Sequence, residues 1–425
     1  MRENRDVTLV DDLMWRGLIQ DSTDPAELRK ALDDSSITFY IGFDPTAASL
    51  HVGNLMQLVT ARRLQLGGHK PLLLVGGATG QIGDPGGKTS ERTLNSQEVT
   101  AGWATQIRTQ VAPFVTYDGD NAATVVNNLD WTGPMSVIDF LRDVGKHFPI
   151  NKMLARDVVR NRLESGISYT EFSYQLLQAN DFYQLHVEHG CQLQFGGSDQ
   201  WGNITAGVDF VRRREAGPVH AFTTPLVLKA DGTKFGKSES GTVWLNPEMT
   251  SPYAFYQFWI NADDRDVVTY LKYFSFKSRE ELEELEKATA ERPQARLAQR
   301  ALAEEITALV HGEEEARQAV MASQALFGRA SLDDLSPETL RSALSEAGLL
   351  SVRGELPAVS ALLKESGLVS SANEARRTIA EGGAYLNNER ITDGEAVPPA
   401  SALLHGRFLV LRRGKRTFAG VELAS

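Results

Sequence analysis

Three groups of residues in this 425-residue chain have side chains and spacings that could do chemistry. His51-Val52-Gly53-Asn54 follows a β-rich run, 37–43, and the turn Asp44-Pro45-Thr46, just where a helix-forming stretch begins. A helix N-terminus offers unpaired N–H groups and the positive end of its dipole, so a triphosphate can settle there. Imidazole and amide side chains add donors, and the glycine lets a nucleotide approach the backbone. Lys234-Phe235-Gly236-Lys237-Ser238 lies in a glycine-punctuated loop. Its two lysines, three apart, can neutralise charge building on a pyrophosphate leaving group. Tyr174, Gln178 and Asp181 are spaced i, i+4 and i+7, so they share one helix face. A polar row on an otherwise apolar helix requires partners or a ligand.

Each group alone admits a plainer reading: a histidine near a cap, an exposed polar turn, a solvent-facing stripe. Together, in this order and about 180 residues apart, HVGN and KFGKS resemble the HIGH and KMSKS signatures of class I aminoacyl-tRNA synthetases. Asn54 replaces the last histidine, and Phe235-Gly236 replaces Met-Ser. The KFGKS form resembles that of bacterial tyrosyl-tRNA synthetases. The segment 169–181, YTEFSYQLLQAND, is similar to the amino-acid-binding helix of the same family.

That resemblance implies roles for individual residues. Asp181 would accept the substrate's phenolic hydroxyl, with Tyr40 as second partner, while Tyr174, Gln178 and Asp84 meet the α-ammonium. Asp44 would face the nucleotide or substrate backbone, Thr46 the γ-phosphate, and His51, Gly53 and Asn54 the nucleotide. Lys88 and Arg92 would steady pyrophosphate together with Lys234 and Lys237. Asp199 would take the ribose hydroxyls and Gln200 the carboxyl or adenylate region. Residues 127–131 match a segment behind the pocket. Near the C-terminus, 371–377 and 382–387 resemble an RNA-binding domain named after the fourth small-subunit ribosomal protein. Arg376, Arg377, Arg412, Arg413, Lys415 and Arg416 would contact phosphates there.

The family further implies ATP as substrate with Mg²⁺ on the nucleotide, no tightly bound protein metal, and tyrosine and its tRNA as partners. It also implies a homodimer with its interface around 131–148, and no DNA. Three other readings compete. A tryptophanyl-type relative would lack the Tyr40/Asp181 pair and the RNA module. A small-molecule adenylyltransferase would leave the helical domain without purpose. A non-catalytic RNA-binding factor would have no use for His51, Lys234 and Lys237.

The elements that must position these residues follow from periodicity. Strands alternate with helices through 1–249, which predicts a Rossmann-like parallel sheet of α/β class. Its strands include 37–43, 70–75 and 192–195, and a capping box at Ser168-Tyr-Thr-Glu171 opens a helix to about residue 189. Helix formers dominate 250–330 as a separate domain, 331–355 reads as an acidic linker with one helix, and 356–425 as a small α+β module with strands at 384–386 and 408–411.

A net charge of -11 excludes a whole-surface polyanion binder, but residues 351–425 carry 10 Lys and Arg against 8 Asp and Glu, so any such surface belongs there. A single cysteine, Cys191, excludes an internal disulfide and a cysteine metal cluster. The N-terminus lacks the apolar core of a signal peptide, and the longest apolar run, 71–75, is far shorter than the roughly 20 residues a bilayer span needs. A cytoplasmic location is therefore expected.

Overall fold

The computed structural model describes residues 7–86, 96–164, 166–214, 216–233, 235–238, 241–414 and 417–424. The chain forms two compact units, one of Met1–Asn246 with Asp263–Glu286, the other of Pro247–Ala262 with Lys287–Ser425.

The first unit is built on a six-stranded sheet of β1 (Asp21–Ser22), β2 (Thr38–Phe43), β3 (Lys70–Val75), β4 (Thr124–Asn127), β5 (Cys191–Gly197) and β6 (His220–Thr224). The spatial order is β1-β6-β5-β2-β3-β4. β2 pairs parallel with β3 and β5, β3 with β4, and β5 with β6, while β1 is an antiparallel edge. Phe39, Tyr40 and Ile41 on β2 and Leu72 to Val75 on β3 are all buried, as befits parallel strands covered on both faces. The chain winds outward from β2 through β3 to β4, then returns to β5 on the other side of β2. The order reverses between β2 and β5, and the crevice outside their carboxyl ends is where α/β sheets of this kind hold ligands.

Three helices carry residues into that crevice. α1 (Val52–Leu66) follows β2, α2 (Tyr169–His189) precedes β5, and α3 (Trp201–Arg213) follows it. α2 begins where Ser168 accepts from the Glu171 N–H, and it ends at Gly190, whose φ of +63° suits a residue without Cβ. Phe182 and Leu185 of α2 and Ile204 and Val208 of α3 pack with Tyr40 and Leu72 in one core. A small hairpin of β7 (Lys237–Ser238) and β8 (Gly241–Thr242) completes the unit's strands among the described residues.

Residues 263–286 lie in the stretch that the sequence assigns to the helical domain, yet they pack in this first unit. Buried Arg16 explains the attachment. Its guanidinium donates to the carbonyls of Lys272, Ser275 and Lys277, at the end of the helix Val267–Phe274.

The second unit joins helices α4 (Pro252–Ile260), α5 (Leu297–His311), α6 (Glu313–Ala325) and α7 (Pro337–Ala347) to a five-stranded sheet. Its strands are β9 (Leu349–Arg353), β10 (Ala384–Leu386), β11 (Glu389–Arg390), β12 (Phe408–Arg413) and β13 (Thr417–Ala424), in the order β11-β10-β12-β13-β9. β9 falls within the stretch read as a linker and pairs parallel with β13. Side chains alternate along β12. Phe408 and Val410 enter a core with Tyr253, Leu326, Leu340 and Leu344. Leu409 and Leu411 enter a different core with residues of α8 (Val359–Glu365) and α9 (Ala372–Ala380).

Candidate active site

The crevice between the ends of β2 and β5 opens into a cleft of about 570 Å³. Tyr40, Asp44, Thr46, His51, Gly53, Asn54, Asp84, Tyr174, Gln178, Asp181, Asp199 and Gln200 all line it. The fold thus brings together twelve of the residues that the sequence nominates.

The cleft's floor is polar and buried. Asp181, buried on α2, accepts from Asn128 Nδ2 at 2.9 Å and from Trp131 Nε1 at 2.8 Å. Burial pushes its carboxyl up to about 7, against the opposing pull of those two donors. Asn128 is oriented by the backbone, because its Oδ1 accepts from the Ala78 N–H at 2.7 Å and leaves its NH₂ facing Asp181. Tyr40 is buried beside them, and its hydroxyl has no hydrogen-bond partner. Burial and the Asp181 charge hold that phenol well above its ordinary value, so it stays protonated. A buried hydroxyl left unpaired costs free energy unless a ligand supplies the partner.

Asp44 continues the network. Its Oδ1 accepts from Thr79 Oγ1 at 2.6 Å and its Oδ2 from the Tyr174 hydroxyl at 2.7 Å. Thr79 Oγ1 in turn accepts from Asn128 Nδ2 at 2.9 Å. This packing requires Gly76, where a Cβ would stand 2.0 Å from Asp44 Oδ1. Thr79 escaped the sequence reading. The glycine pair that ends β3 could have pointed to it, since such a turn admits a close-packed polar group.

A third cluster gathers on the β5 side. Gln200 Nε2 donates to Asp84 Oδ2 at 2.6 Å, and Asn203 Nδ2 to Gln200 Oε1 at 3.1 Å. Asp199 sits at the exposed lip, where Gly197 allows its carboxylate to fold back beside the strand end. Gln178 faces the same space from α2.

At the opposite wall the two signatures meet. His51 caps α1: its Nδ1 accepts from the Gly53 N–H at 3.0 Å, while Asn54 Oδ1 accepts from the His51 N–H at 3.1 Å. Asn54 therefore closes the capping box with its oxygen. Because Nδ1 is an acceptor, the neutral ring carries its proton on Nε2, and burial keeps the pKa below its ordinary value. Gly53 is required, since a Cβ there would lie 2.6 Å from the ring. Residues 243–245 run along 50–52, with Val52 N donating to Val243 O and Leu245 N to Leu50 O. Val243 N donates to Gly236 O at 3.1 Å, which holds the backbone at Gly236 alongside the start of α1. Trp244, also missed in the sequence, meets His51 edge-on at 6.1 Å. Lys88, Arg92 and Lys234 lie outside the described residues, and Lys237 is described through its backbone in β7.

The basic residues of the second unit divide. Arg376 and Arg377 are exposed on α9. Arg412 is buried, with its guanidinium over the Tyr385 ring at 4.0 Å and an N–H donated to Gly414 O. Arg413 pairs with Glu374 at 2.7 Å and donates to Leu368 O. Strand alternation turns both toward packing partners, a placement that a basic run in sequence does not reveal. Lys415 and Arg416 lie outside the described residues. Among the described residues, no group of three or more His, Cys, Asp and Glu is placed to hold a metal ion. No helix there is long and apolar enough to cross a membrane.

Residues 32–328 match the family model of class I tRNA synthetases (W and Y), and 342–421 match the tyrosine--tRNA ligase C-terminal domain. The chain is 64% identical over 98% of both chains to a tyrosine--tRNA ligase of Streptomyces griseus, and 61% identical to that of Streptomyces coelicolor over 98% of this chain and 99% of the other. A crystal structure of a truncated mitochondrial tyrosyl-tRNA synthetase from Aspergillus nidulans superposes with a TM-score of 0.69 at 32% identity, over 77% of this chain and 96% of that one. With one family model spanning residues 32–328, a second spanning 342–421, and relatives above 60% identity along nearly the whole chain, the chain belongs to the class I tRNA synthetases, in their bacterial-type tyrosine–tRNA ligase branch.

Proposed function

We propose that this chain activates tyrosine with ATP and transfers the tyrosyl group to its tRNA. The observation that carries the reading is the buried, unpartnered Tyr40 hydroxyl beside the Asp181 carboxylate. A phenolic hydroxyl entering the cleft can donate to Asp181 and accept from Tyr40, satisfying both. An indole or a plain phenyl ring offers no such match.

In the first step a carboxylate oxygen of tyrosine attacks the α-phosphorus of ATP. The bond to the bridging oxygen breaks, and pyrophosphate leaves with the electron pair. In the second, a terminal ribose hydroxyl of the tRNA attacks the carbonyl carbon and AMP leaves. Among the site residues none is required as a covalent nucleophile; the protein orients and stabilises charge. Asp84, with Tyr174 and Gln178, holds the ammonium, and Gln200 the carboxyl region. Asp44 and Gly53 face the nucleotide, and Asp199 takes the ribose hydroxyls. His51 offers its Nε2–H to the phosphates with Thr46, while Lys88, Arg92, Lys234 and Lys237 meet the pyrophosphate. Magnesium travels on the triphosphate and shields its charge.

The reading assigns catalysis to the first unit, and tRNA phosphates to the second, through Arg376 and Arg377 with Lys415 and Arg416. A homodimer is supported by Val137 and Ile138, which are 74% and 69% exposed, with Leu141 and Ile150 also outward. The location is cytoplasmic, where charged tRNA is used. The test is pyrophosphate exchange into ATP without tRNA, with tyrosine, phenylalanine and tryptophan supplied separately. Exchange with tyrosine alone is expected; exchange with tryptophan, or with none, overturns the assignment.

A further inference from the structure

Arg156 lies outside every motif discussed so far, yet it is wired into the cleft. Its Nη1 donates to Gln175 Oε1 at 2.6 Å and its Nη2 to Asn203 Oδ1 at 2.9 Å. Asn203, itself buried, passes its amide on to Gln200 Oε1 at 3.1 Å and, more weakly, toward Asp84 Oδ1 at 3.4 Å. Gln200 then donates to Asp84 Oδ2 at 2.6 Å.

The chain has one polarity. A guanidinium is donor-only, so the Asn203 oxygen must face it and the Asn203 NH₂ must face inward. That NH₂ claims the Gln200 oxygen, which leaves the Gln200 NH₂ for Asp84. Turning either amide over would set oxygen against oxygen. The guanidinium also has a slot built for it: a Cβ at Gly202 would stand 2.5 Å from Nη2 and 2.7 Å from Nε. Burial lowers the pKa of Arg156, and the charge of Asp84 works against that shift, so the two charges lie close enough to interact.

We propose that Arg156 is a positioning residue for tyrosine activation. Through Asn203 it fixes the direction of the Gln200 amide and thereby holds Asp84 aimed at the substrate's ammonium. The proposal rests on the assignment of Asp84 to that ammonium. It gives Arg156 no contact with substrate and no part in phosphate chemistry.

The test compares equilibrium binding of tyrosine with that of 3-(4-hydroxyphenyl)propanoate, which keeps the phenol and carboxylate but lacks the ammonium. Pyrophosphate exchange without tRNA is measured alongside. The wild-type protein is expected to prefer tyrosine, and Asp84→Asn to lose that preference. Arg156→Ala should weaken tyrosine binding about tenfold, the worth of one charge-assisted hydrogen bond, while binding of the desamino analogue, which can lose only the Gln200 contact to its carboxylate, falls distinctly less. The KM for ATP should stay within about twofold of wild type, because no phosphate contact is touched. Gly202→Ala should reproduce the loss by evicting the guanidinium, and the double variant should be no worse than either single one. Arg156→Lys, which keeps a donor for Asn203, should recover part of the preference. Gly202→Ala and Arg156→Lys carry the test if Arg156→Ala does not fold. If Asp84→Asn keeps the preference, the ammonium assignment falls. If Asp84→Asn loses it while the Arg156 and Gly202 variants keep it, or lose both ligands equally, the positioning role falls alone.

Discussion

Asp44 and Asp181 are joined by two side chains: Thr79 donates to Asp44 at 2.6 Å, Asn128 donates to Asp181 at 2.9 Å, and Asn128 also donates to Thr79. Two carboxylates from β2's end and α2 are thus braced by donors taken from the turns after β3 and β4. The arrangement is costly without a ligand, since the Asp44 charge adds to the burial that raises the Asp181 carboxyl.

Tyr40→Phe separates stability from function. It removes a buried hydroxyl that has no partner, so unfolding in urea should show unchanged or greater stability, by up to about 1 kcal/mol. The same variant should lose discrimination between tyrosine and phenylalanine in pyrophosphate exchange, by about tenfold. A fall in both would mean that the hydroxyl is satisfied within the protein.

Asp181 gives a pH dependence with a definite sign. Its folded pKa, raised to about 7, lies above the ordinary 3.8, so between those values the folded chain holds the proton more tightly than the unfolded one. The group's contribution to stability therefore falls as pH rises from about 4 to 7, then levels off. Asp181→Asn removes that slope. Urea unfolding at pH 5 and pH 8 should show the variant gaining on wild type at the higher pH; a constant gap between the two would contradict the buried carboxyl.

Gly76→Ala places a methyl 2.0 Å from Asp44 Oδ1 and 2.5 Å from Thr79 Oγ1. Displacing that pair should destabilise the chain by about 1–3 kcal/mol and abolish exchange with tyrosine. Thermal unfolding and exchange assays check the two halves separately.

Asn54→Ala opens the capping box at α1. The expected loss is about 1 kcal/mol of stability, with weaker ATP binding because His51 is no longer held from below. Asn54→Ser should restore much of the cap. Equilibrium unfolding, with the KM for ATP in exchange, distinguishes this from a direct phosphate contact, which serine would not restore.

Much of this site was legible where chemistry and periodicity coincide. The i, i+4, i+7 row on α2 and the strands β2 and β3 are local patterns, and the structure places them within a residue or so of the expected bounds. Thr79, Arg156 and Asn203 were not legible, because each matters through a partner far along the chain. Leu349–Arg353 hid as a strand because it is short, half-exposed and preceded by acidic sequence. Arg412 looked like an RNA contact beside Arg413, Lys415 and Arg416, but a strand sends neighbours to opposite faces, and Tyr385 was waiting on one of them.

The two-sided burial of β12 has a bearing on how this protein can be cut. Phe408 and Val410 belong to a core with the helices, while Leu409 and Leu411 seal the small sheet's other side. A fragment starting after residue 355 would take with it one wetted apolar face, and the helices left behind would bare another. Truncation between the helices and the sheet therefore severs a cooperative folding block rather than a tether, and the C-terminal module is poor material for domain grafting unless its helices travel with it.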